Sequence, residues 1–248
     1  MTPFDPVFLG SALALGVLSG ATASIVGFGI GSLLTPFFSV PLGTDIAVAA
    51  VTLPHLVATA FRCYRLRREI DWSVVARFGL LSAAGGLLGA LAYARLGPSA
   101  LTGILGGLLV LTAVANLTGV FVNRQIGVAT TGLLGLASGF FGGLAGNQGG
   151  LRSAALSTFA LSPLGFVATS TATGLLVDLA RTPVYAALNA GDLVMYWPPI
   201  GTATVGVIAG TLLGERLLLG LSPLTFRRLL AGAVGLLGLW LLWRTYSG

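Results

Sequence analysis

"GFGIGSLLTP", from Gly27 to Pro36, carries three glycines in five residues, then a serine, a threonine and a proline, inside a chain apolar enough for lipid. A plain spanning helix would use leucine there. In hydrocarbon every backbone N–H and C=O must be satisfied, so a broken helix is tolerated only where protein or a watery cavity covers it. Glycine lets backbone approach a ligand closely, and Pro36 withholds a helical hydrogen bond. A half-helix beginning near Gly29 or Gly31 would aim its free N–H groups and positive dipole end at the membrane midplane. Such an end binds anions without any lysine.

The rest of the chain supplies that setting. Of its 248 residues, 55% are hydrophobic and 8% charged, with a mean hydropathy of +0.96, whereas a soluble domain is about 25% charged. Several apolar stretches of about 17 to 25 residues are each long enough to cross a hydrocarbon core as a helix. The short alternating strands of a barrel are missing. The longest polar run, "RCYRLRREIDW" from Arg62 to Trp72, leaves no room for a soluble domain. The start, "MTPFDPVFLG", has no basic n-region, so Val7 to Ile25 reads as a retained first helix rather than a cleaved signal peptide. Cys63 is the single cysteine, which excludes an intramolecular disulfide and a thiolate metal cluster. The net charge of +6 rests on arginine alone, a balance that reflects cytoplasmic loops rather than nucleic acid.

Shifting the chain against itself by 119 positions sets "GVLSGATASIVGFGIGS" on "GLASGFFGGLAGNQGGL". Gly16 meets Gly135, Gly20 meets Gly139, Gly27 meets Gly146 and Gly31 meets Gly150; further on, Thr52 meets Thr171 and Arg62 meets Arg181. With a small change of offset Asp71 meets Asp192, Gly85 meets Gly206 and Gly89 meets Gly210. Charge is scarce here, so the arginine and aspartate pairs weigh most. The expectation is an all-α polytopic membrane protein of two homologous halves, 1–122 and 123–248. Each half reads as about four spanning helices plus a glycine-rich broken or re-entrant one. The helices fall near Val7–Ile25, Asp45–Phe61, Ser73–Ala94 and Ala100–Val122, then Ile126–Leu144, Leu164–Leu179, Leu193–Leu213 and Leu224–Trp243. The interrupted segments are Gly27–Val40 and Gly146–Phe159. A segment that spans makes the halves inverted; a re-entrant one makes them parallel. Inversion gathers Arg62, Arg65, Arg67, Arg68, Arg124, Arg216, Arg227 and Arg228 on one face, with Arg95 and Arg244 opposite, and is favoured on that ground.

The second broken segment, "GGLAGNQGGLRS" from Gly142 to Ser153, adds Asn147, Gln148 and Arg152. Amides and a guanidinium at that depth are costly without partners and are functional candidates by default. Close helix packing through small-xxx-small spacing is the competing explanation, but its duplication beside those polar residues favours a site. The expected substrate-binding set is Gly29, Gly31, Ser32, Thr52, Gly146, Asn147, Gln148, Gly149, Arg152 and Thr171, with Arg152 foremost because guanidinium offers a planar donor fork for oxyanions. Thr52 and Thr171 can equally bond back to their own helices.

At these residues the chain resembles the TauE/SafE family, the sulfite and organosulfonate exporter group. The resemblance rests on "GFGIGSLLTPFF", on the small-residue stretch "TDIAVAAVTLPH" and on "GFFGGLAGNQGG", and spans nearly the whole chain. Phe28 and Ile30 stand where relatives often carry a longer glycine run. The resemblance implies a multi-pass carrier of the bacterial cytoplasmic (inner) membrane. Its substrate would be a small sulfur-containing anion, with no cofactor, metal or nucleotide-binding domain. It leaves room for proton or ion coupling and for a homodimer in the bilayer.

Three polar residues are candidates for coupling. His55, the one histidine, titrates near neutral pH and suits proton transfer; a neutral histidine bonded to a carbonyl is the plainer reading. Asp178 and Arg181, three apart, share a helix face and can pair, either as an ion pair lining a cavity or as a purely structural pair near the helix end, since arginine can snorkel. Asp45 reads as a helix cap. The leading function is a secondary transporter of small anions by alternating access around the two glycine segments. A passive channel is a rival. An intramembrane enzyme is another, but one histidine cannot supply H-E-x-x-H, and Ser32 with His55 is the sole nucleophile and base on offer.

Overall fold

A computed structural model describes residues 4–119, 127–217 and 223–247, which are helical with short connections. The first half holds α1 (Pro6–Val26), α2 (Ile30–Leu42) and α3 (Thr44–Arg65). A rod follows, made of α4 (Trp72–Val74), a π turn (Val75–Gly79) and α5 (Leu80–Tyr93), and then α6 (Pro98–Thr118). The chain continues with α7 (Val128–Ala145), α8 (Gly149–Leu156), α9 (Pro163–Leu188), the short α10 (Ala190–Met195), α11 (Trp197–Leu217) and α12 (Pro223–Ser247). Among the described residues six helices are long and apolar enough to cross a membrane. The protein is a multi-pass helical membrane protein.

Local chemistry fixes most helix ends. Asp5 caps α1 by accepting from the Val7 N–H at 2.9 Å, and Ser162 caps α9 by accepting from Gly165 at 3.0 Å. Asp71 caps α4, accepting from the N–H groups of Ser73 and Val74 and from the Ser73 hydroxyl. These bonds hold its carboxyl below the usual carboxylate range. The cap of α3 is Gly43, not Asp45, which lies inside the first turn where its charge suits the helix dipole. The helix expected to end at Leu179 runs on to Leu188 through Pro183, because Arg181 and Tyr185 find partners inside the protein. The half boundary at 122/123, the expected helix ends at Val122 and Ile126, Arg124, and the side chains of Arg216 and Arg227 lie outside the described residues.

Helix packing follows membrane rules. Leu80, Leu87, Leu91, Leu133 and Leu236 face outward, whereas Ser19, Thr22, Ser82 and Ser138 are buried. Without a hydrophobic drive between helices, small residues that let backbones touch decide the contacts. Gly16 lies on Ala203 and Gly206 of α11, where an added Cβ would come within 2.7 Å of the Ala203 carbonyl; Gly135 lies on Phe78 in the same way. Gly16 with Gly135, and Gly206 with Gly85, are therefore packing glycines.

Those contacts also give direction. Along α1, Leu13, Val17 and Ala21 meet Gly206, Gly210 and Gly214 in turn, so α1 and α11 run parallel; Phe78, Ser82 and Gly86 meet Gly135, Gly139 and Gly143, so α5 and α7 do too. The last helices of the halves oppose each other: Gly103 meets Thr245 and Gly235 meets Ala113, so α6 and α12 are antiparallel. Phe8 stacks on Phe37 at 4.7 Å while Thr22 lies against Gly29, so α2 folds back along α1. One end of the bundle gathers Phe4 with Tyr196, Tyr93 with the Asp45 carbonyl and Asn189, and Thr44 with Thr102. The other end joins the 66–71 connection to the start of α9 through Asp71 N–H and Thr169 Oγ1 at 3.0 Å.

Candidate functional site

The site begins at the two breaks. Gly27 ends α1 at φ 79° and Gly146 ends α7 at φ 69°, both in the left-handed region that closes a helix with glycine. Gly29, at φ 136°, then reverses the chain into α2. No side chain caps α2 or α8, so the first-turn N–H groups of both stay open. The breaks lie against each other. A Cβ at Gly31 would strike the Gly146 carbonyl, and one at Gly149 would strike the Phe28 side chain.

Between them is a small cavity of about 10 Å³, room for the centre of roughly one water. It is lined by every expected substrate-binding residue except Thr52 and Thr171: Gly29, Gly31, Ser32, Gly146, Asn147, Gln148, Gly149 and Arg152, joined by Phe28 and His55. Thr52 donates its hydroxyl back to Val48 at 2.9 Å, and Thr171 is buried with no partner for its hydroxyl. Ser32 donates to Asn147 Oδ1 at 3.0 Å and Ser138 to the Gln148 carbonyl at 3.4 Å, tying the second break down.

Arg152 is buried (1% exposed) and held from two sides. Its Nε donates to Ser170 Oγ at 2.9 Å and its Nη2 to the Gly27 carbonyl at 3.3 Å, so the second half's arginine closes the first half's helix end. Ser170 Oγ donates to the same carbonyl at 3.2 Å. Arg152 Nη1, Asn147 Nδ2 and both amide atoms of Gln148 have no partner. Gly174, the repeat counterpart of His55, makes space for the guanidinium: a Cβ there would come within 2.8 Å of Nη1.

Behind the cavity lies a charge cluster. His55 Nδ1 meets Asp178 Oδ2 at 2.6 Å, Thr59 donates to that oxygen at 2.9 Å, and Arg181 meets Oδ1 at 2.9 Å through Nη2 and 3.1 Å through Nε. Arg181 also donates to the Gly142 carbonyl at 2.6 Å, and Tyr185 donates to the Gly143 carbonyl. Arg181 is buried and does not snorkel, and the helix-face pair with Asp178 forms. Arg62, weighed above with the surface arginines, is buried at 3% exposed, unlike Arg65, Arg67 and Arg68. Among the described residues, the buried charged side chains are thus three guanidinium groups against one carboxylate.

Sequence reasoning missed Ser170, Thr59 and Phe28. Thr59 had a usable signal, since the repeat shift places it on Asp178. Ser170 is adjacent to Thr171, which the repeat singled out, but a neighbouring position turns to another helix face.

Helices long and apolar enough to cross a membrane, two glycine breaks in contact and buried guanidinium groups around a small polar cavity make this a polytopic membrane protein, and the family it matches is a transporter family. The chain belongs to the TauE/SafE sulfite exporter family: the family model described as "Sulfite exporter TauE/SafE" matches residues 12–241. No curated protein and no solved structure matches it.

Proposed function

We propose that this protein is a secondary carrier of small oxyanions, sulfite or an organosulfonate, that works by alternating access around the cavity between the two helix breaks. One observation carries the reading: among the described residues the buried Arg152 lines the cavity with no carboxylate within ion-pair distance, beside unpartnered polar atoms at Asn147, Gln148 and its own Nη1. An uncompensated buried charge is expensive, and an anion entering there offsets it. A sulfo group offers three oxygens, matching Asn147 Nδ2, Gln148 Nε2 and Arg152 Nη1. The uncapped N–H groups of α2 and α8 add positive potential.

His55 lines the cavity and holds Asp178 with Nδ1. It therefore stands where a proton on its ring would sit between the substrate and a carboxylate, which supports proton coupling through His55, Asp178 and Arg181. The antiparallel run of α6 and α12, with the parallel pairs α1/α11 and α5/α7, supports inverted halves of five passes each. No bond is made or broken in the substrate, and Ser32 gives its hydroxyl to Asn147 rather than to His55.

The test is binding by the purified protein of sulfite, sulfoacetate, sulfate and acetate, read by thermal shift in detergent. Selective stabilisation by a sulfur oxyanion is expected, rising with concentration to about 2.7 kcal/mol at a hundred times Kd. Arg152→Lys should lose it as fully as Arg152→Ala, because lysine cannot hold Ser170 and the Gly27 carbonyl while reaching the cavity. Equal stabilisation of wild type and both variants refutes the site.

A further inference from the structure

The repeat that lays α3 on α9 keeps an arginine but changes its surroundings. A shift of 119 puts Arg62 on Arg181 and Thr59 on Asp178. Arg181 therefore has a carboxylate one turn back on its own helix, at 2.9 Å. Arg62 has a threonine there instead, and that hydroxyl is turned to the His55 carbonyl at 2.8 Å and to Asp178 at 2.9 Å. The carbonyl that Arg181 also uses, Gly142, corresponds to Ala23, which Arg62 does not engage. The result is a guanidinium that is 3% exposed, with no partner for Nε or Nη1.

Arg62 lines a cavity of its own. This space, about 150 Å³, is bounded by Arg62, Arg65, Ser24 and Thr211 with leucines around them, and holds several waters where the central cavity holds about one. Thr211 Oγ1 is buried and unpartnered, while the Ser24 hydroxyl is already committed to the Gly20 and Thr211 carbonyls. No carboxylate is among the described lining residues. The cavity opens by the exposed Arg65 at the 66–71 end of the bundle, and Ser24 lies one helical turn before the α1 break. This cavity thus shares α1 and α3 with the central cavity, whose lining includes Gly29 just past the break and His55 of α3.

We propose that Arg62 and Thr211, with Arg65 at the mouth, form a second binding site for a small oxyanion, an outer station that hands the anion to the central cavity. The sulfur identity of the anion rests on the function proposed above; the existence of an outer anion site does not. Among the described lining residues two guanidinium groups and a hydroxyl present donors with no acceptor charge beside them, the chemistry that selects an oxyanion over a cation or a neutral solute. Symmetry loss between the halves is what makes the site: the same arginine in α9 is satisfied internally and in α3 is not.

Equilibrium dialysis of radiolabelled sulfite against the purified full chain in detergent tests this. The wild type is expected to bind two equivalents. Arg62→Gln should lose one with at least a tenfold rise in its Kd, and Arg152→Gln should lose the other. Thr211→Asp supplies Arg62 with a resident carboxylate, so it should abolish the outer equivalent while keeping the melting temperature at or above wild type, which separates site loss from misfolding. One equivalent, lost in Arg152→Gln and untouched by Arg62→Gln and Thr211→Asp, overturns the outer site and leaves the central one standing. One equivalent with the opposite pattern overturns the central site alone, and no binding in the wild type overturns both.

Discussion

Asp178 is the side chain on which the buried polar network turns. It accepts from Thr59, His55 and Arg181 at once, and all four residues are buried. Replacing it by asparagine keeps the shape but leaves Arg181 facing its neighbours without a counter-charge. Breaking a buried pair in this way costs about 3–5 kcal/mol. Thr59→Ala removes one hydrogen bond to the same carboxylate and should cost about 1.5–3 kcal/mol, since the acceptor is charged. Thermal unfolding in detergent should therefore rank Asp178→Asn well below Thr59→Ala; equal melting temperatures would mean that the cluster carries no net stabilisation. The sequence made part of this cluster legible. Asp178 and Arg181 announce their pairing by spacing on one helix, whereas His55 joins them from another helix 123 positions away, a contact no local pattern encodes. The repeat adds a subtler signal, because a position that changes from threonine to aspartate between halves marks where the halves stop being equivalent.

At the scale of elements, α1 and α7 both end at glycines, and different glycines do different work. Gly27 and Gly146 take a left-handed conformation that a non-glycine residue adopts at a cost of about 1–2 kcal/mol. Gly29 is more demanding. Its φ of 136° suits few side chains, and a Cβ there would also lie 2.6 Å from Thr22 Cγ2. Gly10, by contrast, has nothing within 4 Å of an added Cβ. Alanine scanning should thus give the order Gly29 most damaging, Gly27 and Gly146 intermediate, and Gly10 neutral or stabilising by up to about 1 kcal/mol, because alanine is the better helix former. A flat series would mean that the breaks can reform as ordinary helix. Helix existence was legible because apolar length in a membrane is fixed by bilayer thickness. The helix ends were less so. α9 continues past the expected stop at Leu179 because Arg181 and Tyr185 are bonded to the α7 carbonyls Gly142 and Gly143, and tertiary partners override hydropathy there.

For the whole molecule, the issue is how two similar halves face each other. The inverted halves proposed above, with five passes each, would put the 66–71 connection and the 189–196 segment at opposite ends of the bundle, in keeping with the fold-back of α2 on α1 and the opposed α6 and α12. Four passes per half with re-entrant glycine segments would put them at the same end. The choice bears on transport, because inverted halves can exchange conformations and so open one site to each side in turn, whereas parallel halves cannot do so by exchange. Arg68 is exposed in the first connection and Gly191, with open space around an added Cβ, is exposed in the second. After Cys63, the one native thiol, is changed to serine, Arg68→Cys and Gly191→Cys should react with a membrane-impermeant maleimide from opposite faces in sealed vesicles. The Arg68 face should be the cytoplasmic one, since Arg65, Arg67 and Arg68 cluster beside it. Labelling of both from one face would make the halves parallel and remove the symmetry on which exchange depends. The central cavity would then have to be reached by a motion within each half, with the outer arginine cavity as one end of a fixed path rather than one stage of an alternating cycle.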